Sequence, residues 1–313
     1  MTKPEIAMVG AYPAWDMEAI DAAYTAHRLW EAPDRDVLID SIAINVRAIA
    51  TRGELGASAE LMRRFPKLEL VSCYGVGTDA IDLSYARAHG IKVTNTPDVL
   101  TDDVADLAIA LMLATARQIP QADRFVRDGS WAKGGMPLLT RVCGKKVGIA
   151  GMGRIGQAIA RRAGGFDCEI AYTSRSKKAD IAHRYFDSAA GLADWADFLI
   201  VIVSGGEGTK DLIDAKVLSA LGPDGILINV SRGTTVDETA LLEALEKGQI
   251  RGAGLDVFRN EPTIDPRFAT LQNVVLHPHH GSGTVETRQA MGRLVRDNLA
   301  AHFAGADLLT PVA

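Results

Sequence analysis

Three short stretches of this chain carry side chains suited to chemistry at a carbonyl. Asn229-Val230-Ser231-Arg232-Gly233 holds a guanidinium. Gly254-Leu255-Asp256-Val257-Phe258-Arg259-Asn260-Glu261-Pro262 holds carboxylates, and His277-Pro278-His279-His280-Gly281-Ser282 holds imidazoles. Hydride delivery to a keto carbon leaves charge on its oxygen, so a proton donor is required, and histidine suits that task near neutral pH. A carboxylate beside the ring orients it and favours its protonated form. A guanidinium binds a substrate carboxylate in a fork and polarises the carbonyl.

Each stretch follows a run that reads as a strand, at 225–230, 252–256 and 273–277. In an open α/β sheet, ligands bind beyond the carboxyl ends of the strands. The three stretches therefore converge on one edge, and a fourth signal shares it. Lys146-Val-Gly-Ile-Ala-Gly151-Met152-Gly153-Arg154-Ile155-Gly156 runs from strand through G-x-G-x-x-G into helix. Gly151 serves the tight turn, Gly153 the close approach of backbone to a pyrophosphate, and Gly156 the packing of helix on strand. The helix N-terminus adds unpaired N–H groups and a positive dipole end.

The next strand, 169–173, ends where a ribose would lie. A site for NAD places Asp or Glu there. Here the chain reads Ser174-Arg175-Ser176-Lys177-Lys178. A carboxylate would repel a 2′-phosphate, whereas Arg175 pairs with one in a charge-assisted fork and the serines add hydroxyls. The loop favours NADP(H).

The elements that position these groups form two series. Strand candidates at 6–10, 47–51, 68–73 and 91–94 alternate with amphipathic stretches at 14–27 and 83–89. A second series has strands at 146–150, 169–173, 198–203, 225–230, 252–256 and 273–277, with helices at 154–163, 214–221 and 237–246. That alternation predicts parallel sheets with crossover helices. The expected fold is α/β, with two Rossmann-like, doubly wound parallel-sheet domains around an interdomain cleft. Thr96-Pro97-Asp98 breaks before an apolar helix at 104–116, and 278–283 breaks before the last helix at 284–303. Residues 99–283 are thus expected to form a dinucleotide-binding domain inserted into a substrate-binding domain of 1–98 plus 284–313.

Bulk properties exclude other classes. With 313 residues, one core is too few. A net charge of -5 gives nucleic-acid binding no electrostatic support. The helix at 104–116 is too short to span a bilayer, residues 1–10 do not read as a secretory signal, and no membrane association is expected. Cys73, Cys143 and Cys168 lie far apart without metal or disulfide spacing, as suits a reducing cytoplasm. His277, His279 and His280 lack the cysteines and the helical face of a metal site, so no metal is expected.

Taken together, these motifs resemble the D-isomer-specific 2-hydroxyacid dehydrogenase family, nearest to its NADPH-dependent glyoxylate/hydroxypyruvate reductases and hydroxyphenylpyruvate reductases. The resemblance rests on 95–106, the glycine loop, Ser174–Ser176, 229–233, 253–262 and 278–288, and runs from about residue 45 to the chain end. It implies that Arg232 binds substrate, that His279 is the acid/base and that Glu261 is its partner. It places Met152 to Ile155 at the pyrophosphate, Val230 at a cofactor backbone contact and Asp256 near the nicotinamide. It assigns the substrate carboxylate to Val76 and Gly77, with Arg52-Gly53 on a second matching loop. It further implies a homodimer built around 105–140, where Trp131 is an interface anchor or a pocket wall.

His280 stands where the family has an aliphatic residue, His277 where it has Thr or Leu, and Gly205-Gly206 replaces a longer pair. The expected substrates are small 2-keto acids, glyoxylate and hydroxypyruvate, with aryl pyruvates as the alternative. Phosphoglycerate dehydrogenase would often carry a regulatory domain and use NAD, and formate dehydrogenase pairs its histidine with glutamine. The reading from another class is a dinucleotide-sensing corepressor, which would not need the full catalytic set.

Overall fold

The computed structural model describes residues 3–312, which divide into two compact α/β units. One comprises the chain up to Leu100 together with the part from Ser282 on; the other is Thr101–Gly281.

The first unit is built on β1 (Glu5–Met8), β2 (Thr25–Arg28), β3 (Val46–Arg52), β4 (Leu70–Tyr74) and β5 (Lys92–Thr94), in the order β2-β1-β3-β4-β5. All neighbours pair in parallel. Ile6, Ala48, Ile49, Leu70 and Val71 are fully buried, as strands covered on both faces require. The helix Val285–Phe303 belongs to this unit, and Gly292 lets it approach: a Cβ there would overlap the buried Asp16 carboxylate, which pairs with Arg296. The chain then returns along β5, where Val312 N–H donates to the Val93 carbonyl (2.7 Å).

The second unit has seven parallel strands: β6 (Lys146–Ala150), β7 (Glu169–Thr173), β8 (Arg184–Phe186), β9 (Phe198–Val201), β10 (Ile226–Asn229), β11 (Gly252–Leu255) and β12 (Val274–Leu276). Their order is β12-β11-β10-β9-β6-β7-β8. Strand order reverses between β6 and β9, the switch point at which α/β sheets take ligands. The apolar helix spans Thr101–Ala116 and lies on β10 and β11, with Gly254 leaving room for Leu111 and Thr115. Its polar face is tied by Asp102 and Asp106 to Arg162.

The local reading needs correction at one helix and several ends. The stretch expected as a helix over 14–27 is helical only over Ala14–Ala23; Thr25–Arg28 turns into the edge strand β2. Asp214, Asp237 and Thr284 cap their helices from outside. Each accepts an N–H three residues on (2.9, 3.2 and 3.2 Å), so the helices begin one residue later than expected.

Candidate active site

The glycine loop is shaped by backbone packing. Gly151 has φ +108°, and a Cβ there would overlap the Ile202 carbonyl; a Cβ at Gly156 would overlap the carbonyl of Gly151. Gly153 differs. It opens the helix Arg154–Gly164 without a side-chain cap, and a Cβ there meets nothing within 4 Å. Open space before uncapped helix amides fits an approaching pyrophosphate. Met152 is buried, and Val230, buried at the end of β10, donates its N–H to the Val201 carbonyl (3.2 Å).

Beyond β7 the basic turn is ordered from beneath. Tyr172 Oη accepts the Lys178 N–H (2.9 Å), Tyr185 Oη donates to the Ser174 carbonyl (3.3 Å), and Ser174 Oγ donates to the Ser176 carbonyl (2.7 Å). Arg175 and Ser176 are exposed, and no carboxylate occurs between Ser174 and Lys178.

At the ends of β10, β11 and β12 the expected groups meet. Asn229 organises the first loop: its side-chain oxygen accepts the Ser231 N–H (3.0 Å) and its amide donates to the Arg232 carbonyl (3.1 Å). A Cβ at Gly233 would overlap Phe258, so glycine lets the Arg232 loop lie directly on the loop carrying Glu261. Glu261 Oε1 accepts the Phe258 N–H (2.8 Å), and Oε2 lies 2.5 Å from His279 Nδ1. Burial works against the Glu261 carboxylate. The hydrogen bonds from His279 and Phe258 and the charges of His279 and Arg232 outweigh it and hold the carboxyl below its usual range. With Nδ1 taken, Nε2 is the ring nitrogen left for proton transfer.

His279 occupies the left-handed region, with φ +49°. Asp256 holds it there: the Asp256 carbonyl accepts the His279 N–H (2.7 Å), while the buried carboxylate accepts the N–H groups of His280 (2.8 Å) and Gly281 (3.0 Å). That carboxylate also takes His277 Nδ1 at 2.6 Å. The His277–Asp256 pair was not read from the sequence. The signal was available, because His277 directly follows β12, beside the strand that Asp256 follows. His280 is engaged here through its backbone, and its ring centroid lies 6.2 Å from that of His277.

In the first unit, Arg52 and Tyr74 are register partners at the carboxyl ends of β3 and β4. Gly53 N–H donates to the Tyr74 carbonyl (3.3 Å), and Asn95 holds the Val76 carbonyl (2.8 Å). Cys73 Sγ lies 3.6 Å from the Gly77 carbonyl. The Val76–Gly77 turn is thus gripped through its carbonyls. Arg52 Nε lies 2.6 Å from Glu54 Oε1, a partner the sequence reading missed.

A glycine loop at the switch point of a parallel sheet, with a basic turn beyond the second strand, defines a dinucleotide-binding α/β domain. Residues 109–281 match the family model described as "D-isomer specific 2-hydroxyacid dehydrogenase, NAD binding domain". The chain is 48% identical over 293 residues to glyoxylate/hydroxypyruvate reductase A HPR2 of Arabidopsis thaliana, covering 94% of each. It is 45% identical over 311 residues to the 2-ketogluconate reductase of Gluconobacter oxydans, covering 99% of each. A crystal structure of the NADPH-dependent glyoxylate/hydroxypyruvate reductase of Sinorhizobium meliloti, in complex with NADP and malonate, superposes with a TM-score of 0.91 at 44% identity, over 100% of this chain and 97% of that one. The chain belongs to the D-isomer specific 2-hydroxyacid dehydrogenase family, and is an oxidoreductase of that family. Among the described residues, no helix is long and apolar enough to cross a membrane.

Proposed function

We propose that this protein reduces small 2-keto acids, glyoxylate and hydroxypyruvate first among them, to D-2-hydroxy acids with NADPH. The observation that carries the reading is the His279 Nδ1 to Glu261 Oε2 contact of 2.5 Å, on loops that leave the same sheet edge as the glycine loop.

Gly151 to Gly156 hold the pyrophosphate, Ser174, Arg175 and Ser176 the 2′-phosphate, and Val230 and Asp256 the nicotinamide end. The bound cofactor supplies a hydride to C2 of the keto acid. Arg232 binds the substrate carboxylate and polarises the carbonyl; Val76 and Gly77, with the Arg52-Gly53 loop, donate to the same carboxylate. As charge develops on the carbonyl oxygen, His279 gives it the proton from Nε2, and Glu261 stabilises the protonated ring through Nδ1. Asp256 keeps His279 in place by fixing the turn that carries it.

The working form is proposed to be a cytoplasmic homodimer assembled around 105–140. There the helix Ile119–Arg127 has no buried residue, while Trp131 is 67% and Leu138 100% exposed. Apolar side chains left outside to this extent mark an interaction surface. Turnover of glyoxylate and hydroxypyruvate with NADPH tests the reading, and binding of NADPH without turnover of any 2-keto acid would favour a sensor. A kcat/KM for 4-hydroxyphenylpyruvate about tenfold above that for hydroxypyruvate would move the assignment to aryl pyruvates.

A further inference from the structure

We propose that His277 is a positioning residue for the reaction: through the buried carboxylate of Asp256, it holds the turn that presents His279. The inference rests on His279 as the proposed proton donor and adds a residue that acts through it.

The turn hangs on Asp256 from both sides. Before His279, His277 Nδ1 lies 2.6 Å from Asp256 Oδ1. After it, His280 N–H donates to the same oxygen (2.8 Å) and Gly281 N–H to Oδ2 (3.0 Å). Between them, His279 N–H donates to the Asp256 carbonyl (2.7 Å), and Pro278 has no N–H to satisfy. The His279 ring, in contrast, goes to Glu261. Both members of the His277–Asp256 pair are registered to the sheet. His277 N–H donates to the Leu255 carbonyl (2.8 Å), and Asp256 N–H to the Asn229 carbonyl (3.0 Å). The pair thus carries the order of β10 and β11 into the turn.

Removing the His277 contact has a definite consequence. The Asp256 side chain is only 4% exposed, so an oxygen that loses a protein donor there gains little water in return. The carboxylate would then be held only from the far side of the turn, free to rotate with it. His279 sits at φ +49°, a conformation that a non-glycine residue keeps only where its surroundings enforce it. A loosened turn lets the proton donor leave its line, and a small misplacement of a reacting group is costly in rate. Nδ1 carries a proton in the charged ring and in one neutral tautomer, so the contact does not require a charged His277. Arg232 lies on a different loop, after β10. His277 is therefore expected to act on kcat and to leave substrate binding alone.

The test measures kcat, the KM for hydroxypyruvate and the Kd for NADPH in His277→Leu and His277→Asn, and repeats His277→Leu in a His279→Ala background. Leucine fills the site without a donor, whereas asparagine carries an amide donor near the place of Nδ1. His277→Leu should lose about tenfold in kcat, the scale of one charge-assisted hydrogen bond, with KM and Kd near those of wild type. His277→Asn should recover most of that loss. In the His279→Ala background, His277→Leu should cost nothing further, because its effect runs through the missing ring. A wild-type kcat in His277→Leu, an asparagine variant as slow as the leucine one, or a further tenfold loss in the double variant would each overturn the positioning role. A loss in His277→Leu as deep as that in His279→Ala would also overturn it, by making His277 itself a proton donor. Turnover close to wild type in His279→Ala alone would instead overturn the reading on which the inference rests.

Discussion

His279 Nδ1 and Glu261 Oε2 lie 2.5 Å apart, and the other oxygen of the same carboxylate takes the Phe258 N–H at 2.8 Å. The carboxylate is thus fixed by its own loop before it meets the imidazole. Replacing it with an amide of the same shape isolates its charge. In Glu261→Gln the alkaline limb of the kcat/KM profile for reduction should move to lower pH, since the variant no longer favours the protonated ring. An unmoved limb would mean that Glu261 is not the histidine's electrostatic partner.

The same substitution makes a stability prediction. Glu261 is held below its usual range in the folded chain. Its contribution is therefore fully present above the unfolded carboxyl's pKa and is lost as pH falls through the folded value. The Tm difference between wild type and Glu261→Gln should be largest near neutrality and narrow below about pH 4. A difference independent of pH would assign the effect to packing.

Arg232→Ala should raise KM and lower kcat together, because the guanidinium both binds carboxylate and polarises carbonyl. Arg232→Lys should recover only part of the loss, since an ammonium lacks the planar fork. Full activity in the lysine variant would argue against bidentate recognition.

The glycine loop separates cofactor binding from folding. Gly153→Ala adds a methyl to open space, so its Tm should hold while the KM for NADPH rises about tenfold or more. Gly156→Ala drives the same methyl into the Gly151 carbonyl and should cost about 1–3 kcal/mol of stability. Equal thermal losses in the two variants would contradict this division.

Cofactor choice should follow the turn after β7. A charge-assisted contact of about 1.5–3 kcal/mol corresponds to a preference for NADPH over NADH of roughly ten- to hundredfold. Arg175→Ala should weaken NADPH far more than NADH. Ser174→Asp should go further, by repelling the 2′-phosphate and accepting from a bare ribose diol. Comparable kcat/KM values for the two cofactors in wild type would reduce the turn to solvated surface.

The parts of this fold that follow one local rule were legible in the sequence. The strands Lys146–Ala150 and Glu169–Thr173 have the bounds expected of them, because apolar runs between turn residues leave little choice. The turn from helix to edge strand at Tyr24 was not legible: residues 14–27 keep a helical apolar pattern, and only pairing of Thr25–Arg28 with β1 converts the end to strand. The short strand Arg184–Phe186 was missed for the same reason, having a single sheet neighbour and no fully buried residue. At the candidate site the residue types were readable but their pairing was not. The sequence offers three histidines within four residues; which of them faces Asp256 and which faces Glu261 depends on the left-handed turn at His279.

Quaternary structure tests the exposed arm. The protein should run as a dimer at micromolar concentration in sedimentation or light scattering, and Trp131→Ser with Leu138→Ser should shift it toward monomer. A monomeric wild type would remove the proposed assembly.

The most direct test of the account is His279→Ala, measured for both steady-state turnover and NADPH binding. The substitution removes the proton donor and leaves the glycine loop and the basic turn untouched. The expected result is a loss in kcat of about 10²–10⁴-fold with hydroxypyruvate, while the Kd for NADPH stays near that of wild type. Turnover close to wild type would contradict the assignment of His279, and with it the chemistry proposed for this site.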